Sequence, residues 1–266
     1  MPRDSRPEIP TRPIFGLEIM AVRFDEAVQA IAQACRRPDA GAARVVVTPN
    51  TDHIVKLERR PGFKRDYARA DFIFADGMPL VWASRLLGQP LPERVTGADL
   101  FPALCRQAAA ERWRVLLIGG QPGAEDALAG GFQRHFPGLD IRIVSPSMGF
   151  DPLGEEGREI ARQVRERAPH LVFVCLGLPK QEQWALHHAP NLPGGVLLCV
   201  GAAMEFALGL KSRAPLWMRR LGLEWLWRLL SDPAHLWRRY LVDDPYFLVI
   251  CWRQWRRLRA GRRRDP

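Results

Sequence analysis

Four short polar stretches carry the residue types that could bind or transform a ligand. Thr48-Pro49-Asn50-Thr51-Asp52-His53 follows the apolar run RVVV, and Asp76-Gly77 follows FIFA. Gly119-Gly120-Gln121-Pro122-Gly123 follows RVLLI, and Gly177-Leu178-Pro179-Lys180-Gln181-Glu182 follows LVFVCL. A carboxylate such as Asp76 can take a proton from a hydroxyl, and Gly77 lets the chain turn so that the acid faces a cleft. The same Asp-Gly pair is a common turn signal. Thr48 and Asn50 are short polar side chains suited to ligand hydroxyls, although Asn50 equally suits the cap of the helix that follows. His53 reads first as a packed or solvent-facing imidazole. Glycines after a strand let the backbone approach a ligand, and a helix that starts there points N–H groups at phosphate. Lys180 and Gln181 stand at such a start. Lys180 also reads as a solvated first-turn residue, and Glu182 as an acid favoured there by the helix dipole.

These stretches need a scaffold that presents them together. Six apolar runs recur: RVVV (44–47), FIFA (72–75), RVLLI (114–118), IRIV (141–144), LVFVCL (171–176) and GVLLCV (195–200). Each reads as a strand buried on both faces, as a parallel sheet requires. Helical periodicity fills the gaps, as in 124–136 and 155–167, flanked by Gly and Pro. Strand alternating with helix predicts an α/β fold, a Rossmann-like doubly wound and mostly parallel sheet, whose ligands bind at the carboxyl ends of the strands. The stretch IFGLEIMAV, followed by FDEAVQAIAQAC, predicts one further strand and helix at the edge.

The net charge of +10 is unevenly carried. Residues 1–210 hold 25 Lys plus Arg against 24 Asp plus Glu, whereas residues 211–266 hold 14 against 5 and six of the nine Trp. The chain therefore divides into an α/β domain, 1–210, and a helical, basic, Trp-rich appendage, 211–266. That appendage needs an anionic partner: a lipid surface, a phosphate-bearing substrate or nucleic acid. At about 100° per residue, Phe247, Leu248, Cys251, Trp252, Trp255 and Leu258 share one arc, with Arg253, Arg256 and Arg257 opposite. Such a helix lies in a membrane interface, and the Arg262–Arg264 cluster adds attraction to anionic lipid. Deleting residues 245–266 is expected to release the chain from membranes. The five cysteines, Cys35, Cys105, Cys175, Cys199 and Cys251, form no C-x-x-C pair, which argues for reduced thiols and against zinc. The amino-terminal MPRDSRPEIPTRP lacks the apolar run of a signal peptide, so no export is implied. No run of about 18 apolar residues occurs, so no ordinary membrane-spanning helix is expected.

The segments TPNTDHIVKL, ADGMPLVWASRLLGQPLPERVTGADLF, LLIGGQPGAEDAL, LGLPKQEQW and RAPLWMRRLGLEWLWRLLSDP, in this order across residues 44–240, resemble the TagA/WecG/CpsF family of bacterial glycosyltransferases, glycosyltransferase family 26. The resemblance implies transfer of a sugar, N-acetylmannosamine or a related hexose, from UDP to an undecaprenyl-diphosphate-linked sugar, with inversion, in cell-surface polysaccharide synthesis. It further implies a peripheral enzyme on the cytoplasmic face of the membrane that works without cofactor or metal, forms dimers or trimers, and completes its active site with the appendage. Asp76 takes the position of the family's catalytic Asp. Thr48 and Asn50 match its T-x-N and would bind sugar hydroxyls. Arg94, in PERVTGADL, resembles the Arg that faces the diphosphate and reads otherwise as a surface ion pair, and Asp99 could cap a helix or hydrogen-bond a sugar or ribose. Gln181 matches the donor-binding Gln, with Lys180 a nucleotide contact. Glu205, in AAMEF, stands where the family carries an acid after a Gly-rich stretch, a departure from its pattern. Arg213, Arg228, Arg238 and Arg239 would reach a diphosphate, each reading equally as a solvated basic face. No D-x-D occurs, so on this reading cationic side chains and helix N-termini replace a metal at the leaving group.

Two other classes remain in view. LLIGGQPG suggests a nucleotide-binding Rossmann oxidoreductase, but it lacks the G-x-G-x-x-G spacing after the first strand and the acid that follows for ribose. The basic Trp-rich tail could stack on single-stranded nucleic acid. Its Trp and Leu gather on one apolar arc instead of interleaving with Arg, which favours a membrane surface and no nucleic acid.

Overall fold

A computed structural model of the chain describes residues 9–36 and 41–262. It begins with a hairpin, β1 (Thr11–Ile14) and β2 (Leu17–Met20), then α1 (Phe24–Cys35). The body follows as β3 (Arg44–Val47), α2 (Thr51–Arg59), α3 (Pro61–Tyr67), β4 (Phe72–Ile73), α4 (Met78–Leu86), α5 (Gly97–Glu111), β5 (Arg114–Gly119), α6 (Glu125–His135), β6 (Asp140–Val144), α7 (Glu155–Arg167), β7 (Leu171–Cys175), α8 (Lys180–His188), β8 (Val196–Cys199) and α9 (Ala203–Ala207). The appendage comprises α10 (Leu216–Arg220), α11 (Glu224–Ser231), α12 (Pro233–Arg238), a π-helical turn (Arg239–Asp243) and α13 (Tyr246–Arg262).

Six strands form one sheet in the order β4-β3-β8-β7-β5-β6, and every pairing is parallel. The period-2 geometry of a strand divides its side chains between two cores. Val45, Val47, Leu116, Ile118, Val172 and Val174 face the helices α2, α4, α7 and α8. Val46, Val115, Leu117, Leu171 and Phe173 face α1, α5 and α6, where Phe101 stacks 4.1 Å from Phe173 between ring centroids. This is the doubly wound sheet that the apolar runs predict. The outer strand β6 departs from the expected two-sided burial. Asp140 and Arg142 are exposed because it lies at the sheet edge, with β5 as its sole strand partner among the described residues. IFGLEIMAV also differs from its expectation of one strand. Phe15 and Gly16 both take positive φ, 54° and 75°, and turn the chain into the antiparallel β1–β2 pair, as a two-residue type I′ hairpin requires.

The appendage folds back over the carboxyl ends of the strands. Gly222 (φ 72°) lies so close to α4 that a Cβ there would meet Met78 Cβ at 2.8 Å. Arg59 bridges to Asp243 at 2.7 Å, and Arg213 forms a two-pronged pair with Asp99 at 2.6 and 3.1 Å. The predicted apolar arc of α13 is split. Phe247, Cys251 and the neighbouring Ile250 are buried in the core beside the hairpin, whereas Leu248 and Trp252 are 71% and 53% exposed. Half of the face assigned to a membrane is thus internal packing, and deleting residues 245–266 would open the core as well as remove exposed apolar side chains. Arg263 and Arg264 lie outside the described residues, as does the side chain of Arg262. No helix among the described residues is long and apolar enough to cross a membrane.

Candidate active site

The loops after β4, β3, β8 and β7 meet under the appendage and enclose two adjoining chambers of about 400 and 270 Å³. Asn50, Asp76, Arg228 and Arg239 line both and so form their common wall. The larger chamber continues to Trp225, Tyr240, Phe247 and Leu248 of the appendage. The smaller reaches Thr48, His53, Gly177 and Gly201. From Gly177 and Gly201 a third cavity of about 700 Å³ opens past Gly120, Arg134 and Glu205.

Asp76 is placed by backbone on both sides. Its N–H donates to Pro49 O (2.8 Å), which ties the β4 loop to the β3 loop, and Gly77 turns away at φ 114°. Its Oδ2 accepts a hydrogen bond from Gly97 N–H at 3.3 Å. Burial pushes the carboxyl up to about 6; Arg228 and Arg94 pull it down while Glu224 pushes it up. A carboxylate held near neutral pH in a cleft is suited to accept a proton.

Asn50 caps α2 and also lines both chambers. Its Oδ1 accepts from His53 N–H at 3.1 Å as the cap of α2, and its side-chain nitrogen, without a protein partner among the described residues, is left for the chambers. Thr48 is 6% exposed and lines the smaller chamber. His53 joins them there. Its Nδ1 lies 3.1 Å from Tyr67 OH, and burial pushes the imidazole down to about 4, so the ring is neutral at physiological pH.

Gln181 lies on the floor of the smaller chamber with both ends of its amide engaged inside the protein. Its Oε1 accepts from Gly177 N–H (3.2 Å) and Gly201 N–H (2.9 Å), and its Nε2 donates to Glu182 Oε1 (2.8 Å). It pins the β7 loop to the β8 loop. Glu182 is the first-turn acid of α8, as expected, and is fully buried with Oε2 unpartnered; burial pushes it up to about 7. Lys180, half-buried at the start of α8, has no ion pair among the described residues and lines none of these three chambers.

The arginines divide into two groups. Arg94, Arg228 and Arg239 line the chambers. Arg213 does not; with Asp99 it forms an anchor between appendage and body, and Thr96 O–H donates to the same carboxylate at 2.7 Å. Burial would raise Asp99, but the Arg213 pair outweighs it and holds the acid below its usual range. Arg238 is exposed. Glu205 lines the third cavity, paired with Lys211 at 2.6 Å. Sequence reasoning missed Glu224, Trp225 and Tyr240. Glu224 had one legible signal, its i,i+4 spacing to Arg228. Among the described residues no group of three or more His, Cys, Asp or Glu is placed to hold a metal ion.

A parallel sheet whose carboxyl edge presents a half-buried acid, glycine turns and clustered arginines suits a group-transfer enzyme. The chain belongs to the glycosyl transferase WecG/TagA/CpsF family, whose sequence model it matches over residues 12–261. It is 30% identical over 240 residues to the N-acetylglucosaminyldiphosphoundecaprenol N-acetyl-beta-D-mannosaminyltransferase of Bacillus spizizenii, covering 90% of each chain. It is 29% identical over 205 residues to the enzyme of the same name from Staphylococcus aureus strain MW2, covering 76% of this chain and 77% of that one.

Proposed function

We propose that the protein moves a hexose, N-acetylmannosamine first among candidates, from UDP to an undecaprenyl-diphosphate-linked sugar with inversion. The observation that carries this reading is Asp76 on the wall common to two chambers, with Arg228 and Arg239 on the same wall. The names of the relatives supply the acceptor class and the sugar. In the reaction, Asp76 takes the proton of the acceptor hydroxyl, whose oxygen attacks the anomeric carbon from the face opposite UDP. The carbon–oxygen bond to the diphosphate breaks, and its electron pair leaves with UDP. Arg94, Arg228 and Arg239 neutralise the charge that develops there, the task a divalent ion performs in D-x-D enzymes. Thr48, Asn50 and His53 orient the sugar in the smaller chamber. The third cavity takes the nucleoside, with Glu205 on its wall and Gln181 holding the Gly177 and Gly201 turns that it shares with the smaller chamber.

The larger chamber, with its aromatic and aliphatic end, takes the acceptor diphosphate and the start of its lipid. Leu248 on its wall and Trp82, packed against Gly222 of that wall, are exposed, as are Leu86 of α4, Trp217 and Leu221 of the appendage and Trp252 of α13. This suits a protein seated on the cytoplasmic face of an anionic membrane. Leu248→Asp with Trp252→Asp spares the core and is expected to cut flotation with anionic-lipid vesicles by more than half. Undiminished flotation would refute the seat.

The decisive experiment is a screen of several UDP-hexoses against a short-chain prenyl-diphosphate N-acetylglucosamine, read by UDP release. UDP-N-acetylmannosamine is expected to give the fastest release, dependent on acceptor and insensitive to EDTA. Release with no UDP-hexose, or only after a divalent metal is restored, would overturn the reading.

A further inference from the structure

The cations of the cleft are not free in the substrate-free protein. Glu224, at the start of α11, touches two of them, Arg94 and Arg228, and a third guanidinium, Arg213, that lies outside the chambers. Its Oε2 accepts from Arg94 Nη1 at 3.4 Å, its Oε1 accepts from Arg228 Nη2 at 3.1 Å, and Arg213 Nε lies 3.6 Å from Oε1. The three guanidiniums come from different places: the loop before α5, the segment between α9 and α10, and α11 itself. The Glu224 side chain is 16% exposed and lines the larger chamber beside Asp76. The proposed mechanism gives it no role.

We propose that Glu224 is the internal counter-anion of the active site, which keeps Arg94, Arg213 and Arg228 assembled while no substrate is bound and yields two of them to a diphosphate. The inference rests on the transferase reading above. Three guanidiniums brought together from body and appendage repel one another, and a buried carboxylate among them holds them in place. A diphosphate offers more charge and more acceptor oxygens than one carboxylate, and the planar fork of Arg suits phosphate. The pair yielded is Arg94 and Arg228. Each holds Glu224 by one hydrogen bond and lines the chamber, whereas Arg213 is held by its two-pronged pair with Asp99 and lines none of these chambers. Glu224 then stays beside the bound diphosphate as a like charge. It weakens retention of that ligand and hastens its departure after transfer. The same negative charge faces Asp76 and raises its affinity for a proton.

The diphosphate could belong to the nucleotide or to the lipid, so the test uses both. Binding of UDP and of geranyl diphosphate to wild type and to Glu224→Gln is measured by calorimetry at fixed ionic strength, with thermal melts as the control for folding. Glu224→Gln is expected to bind at least one of them about tenfold tighter, because a repelling charge is removed while the hydrogen-bonding shape is kept. The ligand whose affinity moves identifies the source. In turnover the variant is expected to show a lower KM and a lower kcat, with the acid limb of its pH profile shifted downward, which a merely structural residue would not produce. Should Glu224→Gln fold poorly, Glu224→Asp withdraws the carboxylate from Arg94 and is expected to tighten binding two- to threefold. Folded variants that bind both ligands no better than a binding-competent wild type would overturn this inference alone. Wild type that binds neither ligand would overturn the transferase reading and this inference with it.

Discussion

Asp76→Asn lowers turnover by about 10²- to 10⁴-fold, the usual worth of a general base, while UDP binding stays within a few fold. Steady-state UDP release and equilibrium UDP binding, measured on one preparation, check both halves. Turnover within tenfold of wild type would remove Asp76 from proton transfer. Its raised proton affinity sets the pH dependence. Burial pushes the carboxyl up to about 6, so the base is protonated and idle below that pH. The wild-type rate therefore falls roughly tenfold per unit below about pH 6 and loses this limb in Asp76→Asn. The same shift bears on stability with a definite sign. An acid whose folded value lies above its unfolded value destabilises the fold where it is ionised: fully above about 6, and not at all below its ordinary value near 3.8. Asp76→Asn is accordingly expected to melt higher than wild type at pH 7.5, by an amount on the order of 2 kcal/mol, with the difference vanishing toward pH 3.5. A less active, more stable variant is the signature of a group kept for chemistry.

Arg228→Ala is expected to cost about 10²- to 10³-fold in kcat/KM, the range found when a donor to developing charge is removed. Arg228 lines both chambers, hydrogen-bonds Glu224 at 3.1 Å, and lies over the Phe206 ring 5.1 Å from its centroid. Its charge also holds the Asp76 carboxyl below the value that burial alone would impose. Arg228→Ala therefore shifts the acid limb upward, the direction opposite to Glu224→Gln. Arg228→Lys restores the charge without the planar fork, so the limb returns toward its wild-type position while much of the loss in kcat/KM remains. An Arg228→Ala profile with an unmoved limb would dissociate Arg228 from the base.

The body was largely legible because the apolar runs 44–47, 114–118 and 171–176 are strands covered on both faces, where composition and burial coincide. Legibility failed at the rims. IRIV reads like an interior strand, but nothing in four residues says that one long side will be left uncovered. Periodicity told that α13 has an apolar arc and not what covers it; Phe247 and Leu248 are neighbours in sequence, one buried and one exposed. The place of Asp76 in the cleft was legible because an Asp-Gly pair after a buried run is a local pattern. Glu224 was not, since its meaning depends on Arg94, 130 positions away. Gln181 was picked out as a ligand contact, yet its amide joins two glycine loops that only the fold brings together.

The hairpin turn near the amino terminus is closed off by the far end of the chain. Phe15 N–H donates to Gln254 Oε1 at 2.9 Å across 239 positions, and the Phe15 ring meets Phe247 edge-on at 5.2 Å. On the ribosome Phe15 emerges long before its cover has been translated, so that apolar turn stays bare until α13 has emerged. The closure of this corner thus waits for α13, and a nascent chain stalled before it offers chaperones a sticky corner that the folded protein hides.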